Sequence, residues 1–111
     1  SGNDCIDTSF GEYFFNKIIL VKCNDKAISI GENSKVNINY ADVKFSNYGL
    51  ASKDNSEVSI YNFKGSNIYE NCFAAYNKKD EFLGASIYYK NFECDNINFI
   101  DNLSKIEKIN G

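Results

Sequence analysis

The sequence of 111 residues lacks His, Met, Trp and Pro, and all 12 of its basic residues are Lys. Without His, it has neither the commonest proton shuttle nor the commonest side-chain ligand of transition metals. Any acid–base chemistry would therefore fall to Asp, Glu, Lys or Tyr. Because it also lacks Arg, has no basic stripe and has a formal net charge of −3, we expect no nucleic-acid partner.

Long apolar runs and closely spaced cysteine pairs are also missing. No segment is long and apolar enough to cross a bilayer, and no signal peptide is visible, so we expect no membrane insertion. The four cysteines form no CxxC pair, which argues against a zinc site. We therefore expect neither a bound metal nor another cofactor.

The sequence does contain a repeat of about 22 residues. The segments that begin at Asp4, Lys26, Tyr48 and Asn71 align, at steps of 22, 22 and 23 residues. A fixed period of this size predicts a solenoid, in which each unit buries its apolar face against its neighbours. The chain would form one domain of about four to five turns, with coils over residues 3–101 and a terminal segment or cap over 102–111. So short a solenoid suggests a fragment of a longer protein.

Each turn is predicted to contain three short strands, because apolar and polar residues alternate in residues 36–39 and 58–61. Val43 and Phe45 are assigned to the third strand. Asn33 and Asn55 occupy equivalent corners, where Asn tolerates the left-handed conformation. Residues 77–84 lengthen the fourth turn by about six residues, which predicts a loop on one face.

These features predict an all-β protein with the fold of a right-handed parallel β-helix. The handedness follows from the general preference for right-handed crossovers. A β-sandwich is the alternative, but its strands would not place similar corners at a constant interval.

The first strand of each turn is predicted to have an outward face made of small side chains, which would form a trough. Its inward residues are Ile6, Ile28, Leu50 and Phe73. Because side chains in a strand point alternately to its two faces, the intervening residues face outward. They form two columns, namely Cys5, Ala27, Gly49 and Cys72, and then Asp7, Ser29, Ala51 and Ala74.

Charged and aromatic residues surround this trough and predict a site for a chain of hydroxyls, such as a polysaccharide or oligosaccharide. The predicted ligand-binding residues are Asp7, Lys26, Ser29, Glu32, Lys53, Asp54, Tyr76 and Lys78. Two carboxylates could serve as acid and base beside a Lys that shifts a pKa, so the candidate catalytic residues are Asp7, Glu32, Lys53 and Asp54. Alternatively, Glu32, Lys53 and Asp54 form a solvated corner with exposed ion pairs.

The cysteines and aspartates each raise a further possibility. Cys5 and Cys72 share a column but lie three turns apart, roughly 14 Å, which is too far for a disulfide. Cys23 aligns with Phe45 and Ile68 in a core column, so we expect free, packed thiols. A calcium site from Asp4, Asp7 and Asp25 is conceivable, but no loop motif supports it.

Three corner segments carry a resemblance to known proteins. Residues 25–34 read DKAISIGENS, residues 49–56 read GLASKDNS and residues 74–79 read AAYNKK. Over roughly residues 3–95 the chain resembles the C-terminal right-handed β-helix of some large bacterial surface or secreted proteins. Some of those proteins also carry a spore-coat-kinase-like (CotH-like) domain. The resemblance implies a secreted or cell-surface location.

In fold the chain also resembles the pectate-lyase-like superfamily, whose members commonly bind polysaccharides along one face. It departs from the catalytic patterns of that superfamily, because it has no Arg for a lyase base, no His for an epimerase site and no evident triple-Asp arrangement. We therefore expect a glycan-binding module. The alternatives are a structural or docking stalk that contacts other domains of a longer parent chain, and a polysaccharide-cleaving enzyme.

Overall fold

A computed structural model describes residues 4–79, 82–96, 98–101 and 103–109. Its strands are β1 (Ile6–Thr8), β2 (Gly11–Ile30), β3 (Ser34–Lys53), β4 (Glu57–Tyr76), β5 (Ser86–Glu93), β6 (Phe99–Ile100) and β7 (Lys105–Lys108). Every strand pair is parallel, in the order β1-β2-β3-β4-β5-β7, with β6 on β4. The predicted all-β parallel solenoid is confirmed, with about four turns. The described residues include no helix that is long and apolar enough to cross a membrane.

The three central strands are each 20 residues long and bend around the coil rather than ending at every corner. Each coil therefore has three faces: on β3, the first face carries Leu50, the second carries Val36 and the third carries Val43. Asn33 and Asn55 have φ angles of 53° and 65°, which confirms the predicted left-handed corners. The Asn55 amide nitrogen donates to Asn33 Oδ1 at 2.6 Å. Hydrogen bonds between stacked Asn side chains therefore reinforce this corner.

A second ladder of asparagines follows the corner between the other two faces of the coil. Asn39 donates to Asn16 Oδ1 at 2.9 Å, and Asn91 donates to Asn62 Oδ1 at 2.8 Å. Asn62 in turn donates to the backbone carbonyl of Asn39 at 2.9 Å. The abundance of Asn in this sequence thus has a structural use, because stacked Asn side chains pair along the solenoid axis.

The inward columns form the core as predicted. Ile28 pairs in register with Leu50, and Leu50 with Phe73; all three side chains are fully buried. The second face contributes a column that pairs Val36 with Val58 and Ile87. Burial of these apolar side chains is the main stabilising contribution to the fold, at about 1.5–3 kcal/mol for each large residue.

The predicted column of Cys23, Phe45 and Ile68 was wrong at Phe45, because its neighbour Ser46 occupies that position. Cys23 pairs with Ser46, and Ser46 with Ile68, whereas Phe45 is 40% exposed. Phe45 has a φ of 61°, so the chain turns there and the alternation of side chains is interrupted. The left-handed conformation of Phe45 therefore shifts the inward position from Phe45 to Ser46.

The expectation of free thiols was also wrong, because all four cysteines form disulfides. Cys5 bonds Cys23 and Cys72 bonds Cys94, with Cα–Cα distances of 5.7 and 6.4 Å. The sequence separations are 18 and 22 residues, slightly less than or equal to one turn. Each disulfide therefore joins the beginning and the end of one coil instead of crossing between stacked turns.

The long loop in the fourth turn is confirmed. Glu57 pairs with Lys35, 22 residues earlier, and with Ser86, 29 residues later. Asp80 and Glu81, at the tip of the predicted loop, lie outside the described residues. Beyond this loop β7 pairs with β5, so part of the predicted terminal segment adds another strand to the second face.

Candidate functional site

One of the two predicted small-residue columns, the floor, stacks in register along the first face. Asp7, Ser29, Ala51 and Ala74 follow one another in register along the first face. Ser29 and Ala51 are fully buried, although neither belongs to the internal hydrophobic cluster. The floor is therefore not an open trough.

The other column was wrongly predicted to face outward. Ala27 and Cys72 belong to the buried hydrophobic cluster. A Cβ atom at Gly49 would lie 2.7 Å from the Phe63 ring, which is itself in that cluster. These residues follow the corner where the register shifts, so their positions point into the coil. The floor is one column wide instead of two.

A cleft of about 400 Å³ opens beside this floor at Ala74. The other residues that line it are Asp25, Lys26, Tyr48, Asn71 and Tyr76. Lys26, Tyr48 and Asn71 occupy one register column on three successive turns. Stacking of the turns therefore brings an ammonium, a phenol and an amide to the same wall.

The charged groups of the cleft are already oriented. Lys26 Nζ lies 2.9 Å from Asp25 Oδ2 and 5.7 Å from the centre of the Tyr48 ring. Partial burial alone would lower the pKa of Lys26, but the hydrogen bond to Asp25 and nearby negative charge leave that pKa raised. Lys26 is therefore a fixed cation whose ammonium lies over an aromatic face.

Both tyrosines of the cleft keep their protons more firmly than an exposed tyrosine. Burial is the largest cause that raises the pKa of Tyr48, followed by the charges of Glu70 and Asp25. Burial likewise raises the pKa of Tyr76. Each phenol is thus a neutral hydroxyl that can donate and accept hydrogen bonds at neutral pH.

The pKa of Lys53 is lowered, in contrast to the raised pKa values of Lys26 and the two tyrosines. Lys53 is half-buried and pairs in register with Tyr76. Burial, followed by the positive charges of Lys26 and Lys78, lowers the pKa of Lys53, while Asp7 and Asp4 act against that shift. Three lysines and two aspartates therefore influence one another across this face.

Ser29 provides a polar group at the bottom of the floor. Its hydroxyl is buried and finds no hydrogen-bond partner among the residues that the structure describes. A buried hydroxyl without a partner costs about 1–3 kcal/mol. Ser29 is therefore the least satisfied polar group of the predicted site.

Two of the predicted site residues serve the corner instead. Asp54 is buried, and its Oδ1 accepts the backbone N–H groups of Lys78 and Lys79 at 2.6 and 2.9 Å. Glu32 Oε1 pairs with Lys79 Nζ at 2.7 Å near the surface. Asp54 therefore anchors the beginning of the long loop, and the solvated-corner alternative describes Glu32 but not Asp54.

The predicted set thus divides into two groups. Asp7 and Ser29 belong to the floor, Lys26 and Tyr76 line the cleft, and Lys53 pairs in register with Tyr76 beside it. Glu32, Asp54 and Lys78 belong to the corner and its loop. Both candidate carboxylates at the corner have structural partners, so this geometry does not favour a catalytic pair there.

Sequence reasoning missed Tyr48 and Asn71 as cleft residues. They align with Lys26 at steps of 22 and 23 residues, which is the signal that could have found them.

The aspartates considered for calcium have other contacts. Asp4 Oδ1 accepts the backbone N–H of Lys26 at 3.1 Å, and Asp25 pairs with the Lys26 side chain. Within the described part of the chain, one group of potential donors lies close enough for a metal, namely Cys72, Cys94 and Asp95. The two sulfurs are bonded to each other, so this group has no thiolate to offer.

A search of protein-family models, of curated proteins and of solved structures finds no match to this chain.

Proposed function

We propose that this solenoid binds an extended glycan along its first face, with the cleft between Lys26, Tyr48 and Tyr76 as the main contact. The observation that supports this most is the composition of the cleft. Two aromatic rings offer flat apolar surface, while Asp25, Lys26 and Asn71 offer hydrogen-bond donors and acceptors. A sugar unit needs both kinds of contact, since it has apolar C–H faces and a rim of hydroxyls.

The floor supports an extended ligand. Small side chains continue from Ala74 to Ala51 and Ser29 and end at the exposed Asp7. A chain of sugars could follow this direction, parallel to the solenoid axis. The buried Ser29 hydroxyl, which has no partner among the described residues, would gain one if ligand binding exposed it.

The disulfides support a secreted or cell-surface location for this module. Disulfides persist in oxidising compartments and are rare in the cytosol. We also propose that the coil is right-handed and that its fold is of the pectate-lyase-like kind. We expect binding rather than cleavage, since Asp54 and Glu32 are engaged with the loop.

A glycan array tests the proposal. Wild type is compared with a Lys26→Gln/Asn71→Ala variant in the cleft and with Glu32→Gln at the corner. The cleft variant should lose binding at an unchanged melting temperature, whereas the corner variant should bind like wild type. Equal binding by all three proteins, or no binding by wild type, would refute the proposed site.

A structural or docking role is the second candidate, and the first coil provides an observation in its favour. Phe14, Ile19 and Val21 face outward and are 64%, 60% and 55% exposed. Their register partners on β3 are Asn37, Asp42 and Lys44. Exposed apolar side chains at positions that are polar on the next coil are typical of a surface that contacts another domain.

A further inference from the structure

The two ends of the solenoid present strand edges with complementary residues. At one end, β2 pairs with β3 along its whole length, whereas on its other side β1 covers only Ile28–Ile30. At the other end, β7 pairs with β5 on one side. Among the described residues, no strand covers the outer edge of β7 or of the first half of β2. Such edges offer unpaired N–H and C=O groups to another strand.

The charges along one register column alternate. Glu12 pairs with Lys35, Lys35 with Glu57, Glu57 with Ser86 and Ser86 with Lys105. The column therefore begins with a carboxylate and ends with an ammonium. If a second copy were placed on the first in the same register, Lys105 would meet Glu12 and the alternation would continue.

The neighbouring column shows the same complementarity for apolar residues. Val36, Val58 and Ile87 are buried in its middle. Its end members are Tyr13, which is 38% exposed, and Ile106, which is half-buried. Stacking of two copies would place Ile106 against Tyr13 and bury both.

A column on the first face also runs from one end of the solenoid to the other. β6 pairs with β4 through Ala75 and Ile100, and β1 pairs with β2 through Thr8 and Ile30. Ile100 is 47% exposed at its end of the column. In the stacked arrangement it would be covered by Thr8 of the second copy. On two of the three faces, the residues at one end of the solenoid therefore complement those at the other end.

We propose that copies of this chain associate head to tail, with β6 and β7 of one copy extending the parallel sheet onto β1 and β2 of the next. This is β-strand addition between identical molecules. The contact uses different surfaces on the two copies, and each added copy leaves a free end, so linear oligomers should form.

Sedimentation velocity across a wide range of protein concentration tests this proposal. Wild type should form a series of oligomers that grows with concentration. Glu12→Lys should weaken association about tenfold, because it places like charges opposite each other at the junction. Lys105→Glu should do the same. The double variant Glu12→Lys/Lys105→Glu should restore association, because it exchanges the two charges.

Glu57→Lys is the matched control, since it makes the same charge change in the middle of the column. It should associate like wild type. Circular dichroism of each variant shows whether the solenoid is intact. A wild type that stays monomeric at every concentration would overturn the proposal. So would single variants that associate normally, or a folded double variant that stays as weak as the single ones.

Discussion

Two acidic side chains at the same corner make contacts of very different strength. The buried Asp54 carboxylate accepts two backbone N–H groups, whereas Glu32 forms an ion pair near the surface. Hydrogen bonds to a buried charge contribute about 1.5–3 kcal/mol each, and exposed ion pairs contribute about 0–1 kcal/mol. The corner should therefore depend on Asp54 far more than on Glu32.

We predict that Asp54→Ala lowers the free energy of unfolding by about 3 kcal/mol or more, because two loop N–H groups lose their acceptor. Glu32→Gln should lower it by less than about 1 kcal/mol. Urea unfolding monitored by circular dichroism measures both changes. Similar losses in the two variants would contradict the assignment of Asp54 as the loop anchor.

Asp101 should make stability depend on pH in the acid range. Burial alone would raise its pKa, but hydrogen bonds from the Asn77 backbone and from Ser104 and Leu103 lower the pKa of Asp101 below its ordinary value of 3.8. The stabilisation is therefore complete above that ordinary value and is lost as the pH falls through the lower folded-state pKa. Asn77 N–H lies 2.7 Å from Asp101 Oδ2.

Asp101→Asn keeps the shape of the side chain and removes its charge. We expect this variant to be less stable than wild type at neutral pH, and the difference should shrink at a pH well below 3.8. Urea unfolding at the two pH values measures this. A difference that stays constant with pH would mean that the charge of Asp101 contributes nothing.

At the scale of single elements, the corners hold the features that the sequence did not reveal. The faces could be predicted, because their inward residues repeat at a nearly constant interval. Phe45 was misplaced because a left-handed corner interrupts the alternation. The burial of Asp54 was not predictable from its own turn, since the loop that covers it begins 24 residues later at Lys78.

The alignment of residues in stacked columns does not reveal the disulfides. Cys5 and Cys23 meet around a corner of the same coil, and so do Cys72 and Cys94. A separation slightly shorter than one period, or equal to it, is the pattern that would have indicated this pairing. The stacking of Asp7, Ser29, Ala51 and Ala74 in one column was predictable from the repeat. The burial of Ser29, Ala51 and Ala74 was not, so the column is not the open trough that was predicted.

Each disulfide closes a loop of about one turn, which should stabilise the fold by about 3 kcal/mol through the unfolded state. We predict a loss of this size for Cys5→Ser/Cys23→Ser and for Cys72→Ser/Cys94→Ser, measured by urea unfolding without reductant. Adding a reductant should destabilise wild type and should largely abolish its stability advantage over the two variants, because it opens the same bonds in wild type. Variants as stable as wild type would show that the bonds do not constrain the chain.

The exposed apolar residues of β2 should contribute little to the stability of the solenoid. A Phe14→Asn/Ile19→Asp/Val21→Lys variant copies the residue types of β3 at the paired positions. Because these side chains face solvent, we expect its melting temperature to change little. Its binding of a hydrophobic dye should fall. A strongly lowered melting temperature would mean that these residues pack within the solenoid.

At the scale of the whole molecule, neighbouring coils carry almost all of the stabilising contacts. β3 is flanked along its length by β2 and β4, whereas the end strands have fewer partners. A solenoid of this kind opens from its ends, since each coil contacts only its neighbours.

Amide hydrogen exchange should therefore be slowest in the middle of the solenoid. We expect Ser34–Lys53 to be the best protected segment. Reduction of the disulfides should accelerate exchange in the first half of β2 and in β5, while the centre of β3 keeps most of its protection. Uniform acceleration in every strand would instead indicate that the solenoid opens as a single unit.

Changes in coil length are confined to the two corners that flank the first face. At one corner β2 and β4 each have one residue more than β3, and at the other the fourth turn has its long loop. The second face keeps its register from β2 through β5. Segments of different length could therefore be exchanged at either side of the cleft while the rest of the coil stays fixed. Such a molecule is suited to diversification, by natural variation or by loop grafting, because the residues that flank its cleft can change independently of its scaffold.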